Sequence, residues 1–158
     1  MNIDVSDSSG TDLADPEHLI TQAAFLLDRL RLDPECELSI ALVGEAEMER
    51  LHVEWMDLPG PTDVLSFPMD DISVGPLEGP APLGILGDII LCPTVAARQG
   101  IEAGHSATAE LELLLTHGVL HLLGFDHAEP DEHAVMFGLQ DDLLAEWRSR
   151  EEGSREKA

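Results

Sequence analysis

The sequence predicts an α/β (α+β) fold: a single small domain in which a mixed sheet of about four strands packs with about five helices. Three observations carry that prediction. The runs 36–43 and 84–91 have strand length and end at turn residues, and Pro16 and Pro93 each open a helical pattern. The stretch 106–123 is apolar nearly all round and too long for a strand, so it reads as a helix buried inside the fold.

Taken in order, residues 1–6 alternate weakly and suit an edge strand. From Pro16 to about Leu32, Leu19, Ala23, Leu26, Leu27 and Leu30 form one helical stripe. Residues 36–43 alternate as a strand that Gly44 ends, and 45–55 form a short helix closed by Leu58-Pro59-Gly60-Pro61. Val64 to Pro68 is a strand whose terminal proline suits an edge or an end. The Asp-, Gly- and Pro-rich 70–83 segment reads as a long surface loop and a candidate lid. Residues 84–91 are a strand lying deep in the sheet. Three helices follow, to about Ala103, from Ser106 to Leu123, and from Asp131 to Trp147. The domain thus spans 1–147, and the charged, aromatic-free residues 148–158 read as a disordered tail.

Composition narrows the class. With 158 residues and 44% hydrophobic content, the chain can bury one core. Cys36 and Cys92 lie in apolar runs without Cys-x-x-Cys spacing, which fits reduced core thiols of a cytoplasmic protein. The N-terminus has no basic-then-apolar pattern of a signal peptide, and no apolar run nears the roughly 20 residues of a membrane span. The net charge is −24.

The chemistry concentrates in residues 117–127, His-Gly-Val-Leu-His-Leu-Leu-Gly-Phe-Asp-His. His117 and His121 sit one helical turn apart and share a face, about 5–6 Å apart at Cβ. Gly124 can take the positive φ that ends a helix and returns His127 to that face. Three neutral imidazoles and a water make a catalytic zinc arrangement, because the fourth position stays open. The competing reading is a set of packed, hydrogen-bonded core histidines. In zinc proteases a glutamate follows the first histidine as general base. Here that position is Gly118, which argues against a peptidase.

These residues resemble the signature of the YbeY family, His-Gly-x-Leu-His-Leu-x-Gly-Tyr-Asp-His, with Phe125 where tyrosine is usual. Pro61-Thr62-Asp63-Val64-Leu65-Ser66-Phe67-Pro68 is similar to the second family marker, and Gly87-Asp88-Ile89-Ile90 to a third. The likeness spans about residues 36 to 147, in an actinobacterial-like or otherwise acidic member. It implies a zinc-dependent endoribonuclease acting on single-stranded RNA, in maturation of the 16S ribosomal RNA 3′ end and in ribosome quality control. The implied metal ligands are His117, His121 and His127, holding one Zn2+ per chain, with Ni2+ an alternative that imidazole allows. The implied partners are ribosomal RNA and the small ribosomal subunit, with no membrane and no DNA. Met56 occupies a position where the family usually has arginine.

Other residues carry open alternatives. Asp126 is a catalytic candidate, orienting a histidine or shuttling a proton, or else a turn aspartate. Ser66 and Arg98 are substrate-binding candidates by the likeness. Arg98 reads equally as a solvated surface residue, and Asp63 as a turn cap. Asp88 either supports the metal site or makes an edge hydrogen bond. His18, His52, His105 and His133 read as surface or capping residues, and Met136 as a core methionine or one lying beneath the metal. The acidity opposes RNA at long range and predicts weak binding at low salt, unless high salt screens it or a dication anchors phosphate. The alternatives to a nuclease are a minimal zinc peptidase and a non-catalytic ribosome-assembly factor with a structural metal.

Overall fold

A computed structural model describes residues 2–157, with side chains through Gly153. The order is β1 (Asn2–Asp7), α1 (Pro16–Arg29), β2 (Glu37–Leu42), α2 (Glu45–Met56), β3 (Val64–Pro68), β4 (Ile85–Leu91), α3 (Pro93–Ala103), α4 (Ala107–Leu122) and α5 (Pro130–Lys157). The expected mixed sheet of four strands with five helices is what forms, in spatial order β1-β2-β4-β3. β1, β2 and β4 run parallel, and β3 pairs antiparallel with β4 as an edge strand.

Local chemistry sets the boundaries. Asp15 caps α1, its carboxylate accepting from the Glu17 N–H at 3.1 Å, and Pro16 fills the first helical position, where no donor is needed. Ser106 caps α4 in the same way through the Ala109 N–H. The alternation of β2 buries Leu38, Ile40 and Leu42. β4, paired on both sides, buries Leu86, Ile89 and Leu91 completely.

The main core lies between one face of the sheet and α1, α4 and α5, and α4 is its centre. Leu115, Val119 and Leu120 of α4 are fully buried. On the other face α2 inserts Met48 among Val43, Leu65, Cys92 and Val95. Both cysteines are buried and free. Among the described residues, no helix is long and apolar enough to cross a membrane.

Two expectations need correction. The 70–83 segment is tied to the corner between α1 and β2 rather than hung over a cleft. Gly75 N–H donates to the Leu30 carbonyl at 2.9 Å, Arg31 Nε donates to the Gly75 carbonyl at 2.8 Å, and Ile72 is buried. The disordered tail is also not found over 148–157. α5 runs on to Lys157, with Ala158 outside the described residues. A partner distant in sequence contributes to this: Arg150 lies over the Phe25 ring, 5.6 Å from its centroid, and also over Trp147 one turn back at 5.9 Å.

Candidate metal centre

Helix α4 presents His117 and His121 from successive turns at its C-terminal end. Gly124 then adopts φ 93°, a conformation that costs other residues steric strain, and the chain reverses. Phe125 N–H donates back to the Leu120 carbonyl at 3.1 Å, closing the turn that delivers His127. Ring centroids of His117, His121 and His127 lie 4.6, 5.6 and 5.3 Å apart pairwise, and one ligand atom from each falls within 4.8 Å of the others. Among the described residues, no fourth histidine, cysteine or carboxylate joins that set.

The ring nitrogens decide whether the site suits a cation. The His117 and His121 Nε2 atoms face each other at 3.0 Å. His117 Nδ1 lies 2.8 Å from the Oε1 of Gln140, a carbonyl that can only accept, so the ring proton sits on Nδ1 and Nε2 carries a lone pair. His121 is held from its other side by the Phe125 backbone. The two Nε2 atoms share one hydrogen bond at most, and when neither carries a proton both lone pairs turn to the point where a cation can lie. Tetrahedral zinc, with nitrogens at 2.0–2.1 Å, separates its ligand atoms by about 3.3 Å, close to the spacing found. Burial pushes the His117 imidazole below its ordinary value, and burial and the other two rings do the same to His121. Both rings are thereby kept in the neutral form that a metal requires. The donor set fits a divalent transition metal.

The rings open on a cleft of about 530 Å³, walled by Met56, Asp63, Ser66 and Pro68 on one side and by Phe125 and Asp126 on the other. Asp126 accepts from the His127 N–H at 2.7 Å, so it braces the residue that carries the third imidazole. Asp63 accepts from the Val64 N–H at 2.7 Å at the mouth of β3. Ser66 donates to the Gly118 carbonyl at 3.4 Å. Gly118 faces the sheet, not the cleft: a Cβ there would lie 3.2 Å from Ile89 and from Ser66 Oγ. A glutamate there would press on Ile89 and Ser66, which would have to give by a few tenths of an ångström, and would start toward the sheet instead of the cleft.

The remaining candidates lie elsewhere. Arg98 forms a bidentate pair with Glu45, whose carboxyl is drawn down to about 2 by Arg98 and Thr94, and it does not line the cleft. Asp88 points away from α4, since its neighbour Ile89 is the residue that meets Gly118. It lines a separate hollow with Asp4 and Ser39. His18 and His105 pair with Glu112 and Glu110, and His52 lies 2.9 Å from the Gly60 carbonyl. His133 stacks on Phe137 at 4.3 Å, beside His127. Met136 is fully buried.

Sequence reasoning missed two features. Gln140 is one, although a glutamine in the apolar stripe of Met136, Leu143, Leu144 and Trp147 is a signal that something polar must meet it. The other is a second cluster, His18, Glu112 and Glu151, formed where α1, α4 and α5 meet.

The Endoribonuclease YbeY family model matches residues 3–148. Proteins of that name are similar along nearly their whole length. The one from Thermobifida fusca is 57% identical over 98% of this chain and 100% of its own, and that from Streptomyces coelicolor is 54% identical over 94% and 92%. The solution structure of TM1509 from Thermotoga maritima superposes with a TM-score of 0.62 at 25% identity, covering 94% of this chain and 93% of its own. With a family match across the catalytic-looking cleft and relatives more than half identical from end to end, this chain belongs to the YbeY endoribonuclease family.

Proposed function

We propose that this protein is a single-strand-specific endoribonuclease that matures the 16S ribosomal RNA 3′ end and serves ribosome quality control in the cytoplasm, through a zinc site on His117, His121 and His127. The observation that carries this reading is the convergence of one ring nitrogen each from His117, His121 and His127, all within 4.8 Å of one another, on an open cleft. Residues 1–147 act as one catalytic domain.

Zinc held there supplies Lewis acidity, acidifying water and offsetting phosphoryl charge. The protein's own groups do the rest. Gln140 fixes the His117 tautomer, and the Gly124 turn sets the angle of His127. Asp126 Oδ1 is engaged by the His127 N–H, which leaves its second oxygen as a proton acceptor at the cleft. Ser66 lines the opposite wall, where an RNA phosphate can reach its hydroxyl. The absence of a side chain at Gly118 removes the base a peptidase would use.

The test pairs metal analysis with cleavage. The purified protein is expected to hold one equivalent of zinc, or of nickel in its place, and to cut unpaired RNA bearing an immature 16S 3′ end but not casein-type peptides. His117→Ala should lose both metal and cleavage while keeping its circular dichroism. An H117A protein that unfolds would mark the metal as structural, and a wild type that cleaves only peptides would overturn the proposal.

A further inference from the structure

The end of α2, which reaches the cleft through Met56, also carries an exposed aromatic side chain at its rim. Trp55 is 61% exposed, the only exposed ring among the two tryptophans and four phenylalanines of the chain. Its neighbour Met56 lines the cleft. Its indole meets Phe67 edge-on at 5.8 Å on the α2 side of the edge strand β3, whose Ser66 and Pro68 line the cleft from the opposite face. One edge of the indole is therefore braced while the rest faces solvent. Val53, Met56 and Leu58, also exposed, extend the apolar surface around the end of α2. A lone surface apolar residue requires no account, but a braced tryptophan in such a patch beside a cleft does.

Charge says what could use it. No lysine or arginine lines the cleft among the described residues, while Asp63 and Asp126 do. Arg29, Arg50 and Arg98 are each paired with a glutamate elsewhere. A polyanion entering here gains nothing from basic side chains. A stacked nucleobase does not depend on them, because its π-face binds an aromatic ring in any charge environment. Unpaired RNA offers such faces, whereas a duplex keeps its bases stacked inside.

We infer that Trp55 is a positioning residue, a platform on which one unpaired base of the substrate stacks while the adjoining phosphate enters the histidine-lined cleft. The inference rests on the endoribonuclease reading and adds to it the source of affinity on an acidic surface. Its salt signature follows. Since few counterions are displaced by basic contacts and salt screens the repulsion between RNA and the acidic surface, binding strengthens with added salt, unlike that of a protein that neutralises many phosphates.

The experiment uses the full-length, zinc-loaded protein and short unpaired oligoribonucleotides, with the same strands annealed as the duplex control. Mixing is expected to quench indole emission in the wild type before cleavage. The duplex should give no quenching, nor should Trp55→Phe, in which the buried Trp147 remains as a silent reference. Trp55→Ala should raise KM about tenfold at unchanged kcat and melting temperature, as loss of one stacked base implies. W55F should stay within about threefold of the wild type, since a phenyl ring still stacks. Normal cleavage with unchanged emission and an unaltered W55A KM overturns the inference. So does a W55A enzyme that cleaves normally but no longer sediments with small ribosomal subunits, which would make the patch a protein-docking surface. A wild type that neither binds nor cuts RNA fails differently. It removes the endoribonuclease reading itself, with W55A and wild type then indistinguishable.

Discussion

Helix α4 carries two clusters of metal-type side chains, one toward each end, and they solve opposite problems. Toward its start, Glu112 is buried and accepts from the Trp147 indole at 2.5 Å and from His18 at 3.0 Å. Burial alone would raise this carboxyl, yet hydrogen bonds from Glu151, Trp147 and His18 outweigh it and hold the carboxyl below its usual range. The Trp147 indole donates to Glu112, His18 lies between Glu112 and Glu151, and α1, α4 and α5 are fastened together. Toward the end of the helix, the His117 and His121 Nε2 atoms face each other at 3.0 Å beside His127, and the His117 proton is turned outward to Gln140. A cluster whose polar groups satisfy one another is a structural joint. One whose three ring nitrogens converge at the mouth of a cleft is a place for a cation.

The strongest way to break this comparison is to truncate both clusters in parallel. His117→Ala or His121→Ala should cost metal binding and RNA cleavage by more than the roughly 10–100-fold that loss of an outer partner costs, with little change in melting temperature of the metal-free protein. Trp147→Ala should do the reverse. It leaves a large cavity and an under-paired Glu112, for about 3–5 kcal/mol, and lowers the melting temperature by roughly 10 °C in a chain of this size. Zinc content of the folded fraction should be unchanged. A W147A protein that keeps its stability but loses its metal would invert the assignment of the two clusters.

Gln140→Leu sharpens the point with a smaller effect. It keeps the volume of the buried side chain but frees the His117 ring to hold its proton on either nitrogen. Metal affinity is expected to fall about 10–100-fold while thermal stability changes little, measured by chelator competition and by melting. If affinity is unaltered, the tautomer is set by something other than Gln140.

Much of this was legible in the residues. The period of Leu19, Ala23, Leu26 and Leu30 and the alternation of β2 are local patterns, and the elements they announce formed within a few residues of the expected ends. The four-then-six spacing of the histidines also works locally, through one helical turn and a glycine at φ 93°. What stayed hidden depends on residues far apart. The order β1-β2-β4-β3 is a choice of partners that no single strand encodes. The anchoring of 70–83 runs through the Gly75 and Leu30 backbones, which look like any others in sequence. The extension of α5 past Trp147 depends on Phe25, more than a hundred residues away. Arg98 looked available because its partner, Glu45, lies on another helix.

The weakest expected effect is also the one that tests the electrostatics of both ends. His117 and His121 have folded-state values below the ordinary imidazole range because burial disfavours their cationic forms. A group with a depressed folded value binds more protons unfolded than folded as pH falls beneath the unfolded value of about 6.5. The metal-free protein should therefore lose stability as pH drops from about 6.5 toward the lowered values, and regain it as pH rises. Replacing both histidines by glutamine should flatten that part of the profile. The Glu112 end predicts no matching change in the double variant, because that carboxyl is also held low and keeps its contribution until pH falls into the ordinary carboxylate range. Denaturant melts of the metal-free wild type and the double variant, taken from neutral to mildly acidic pH, separate the two. If both curves fall alike, the loss belongs to the fastened end of α4, and the rings at the other end are less desolvated than their packing implies.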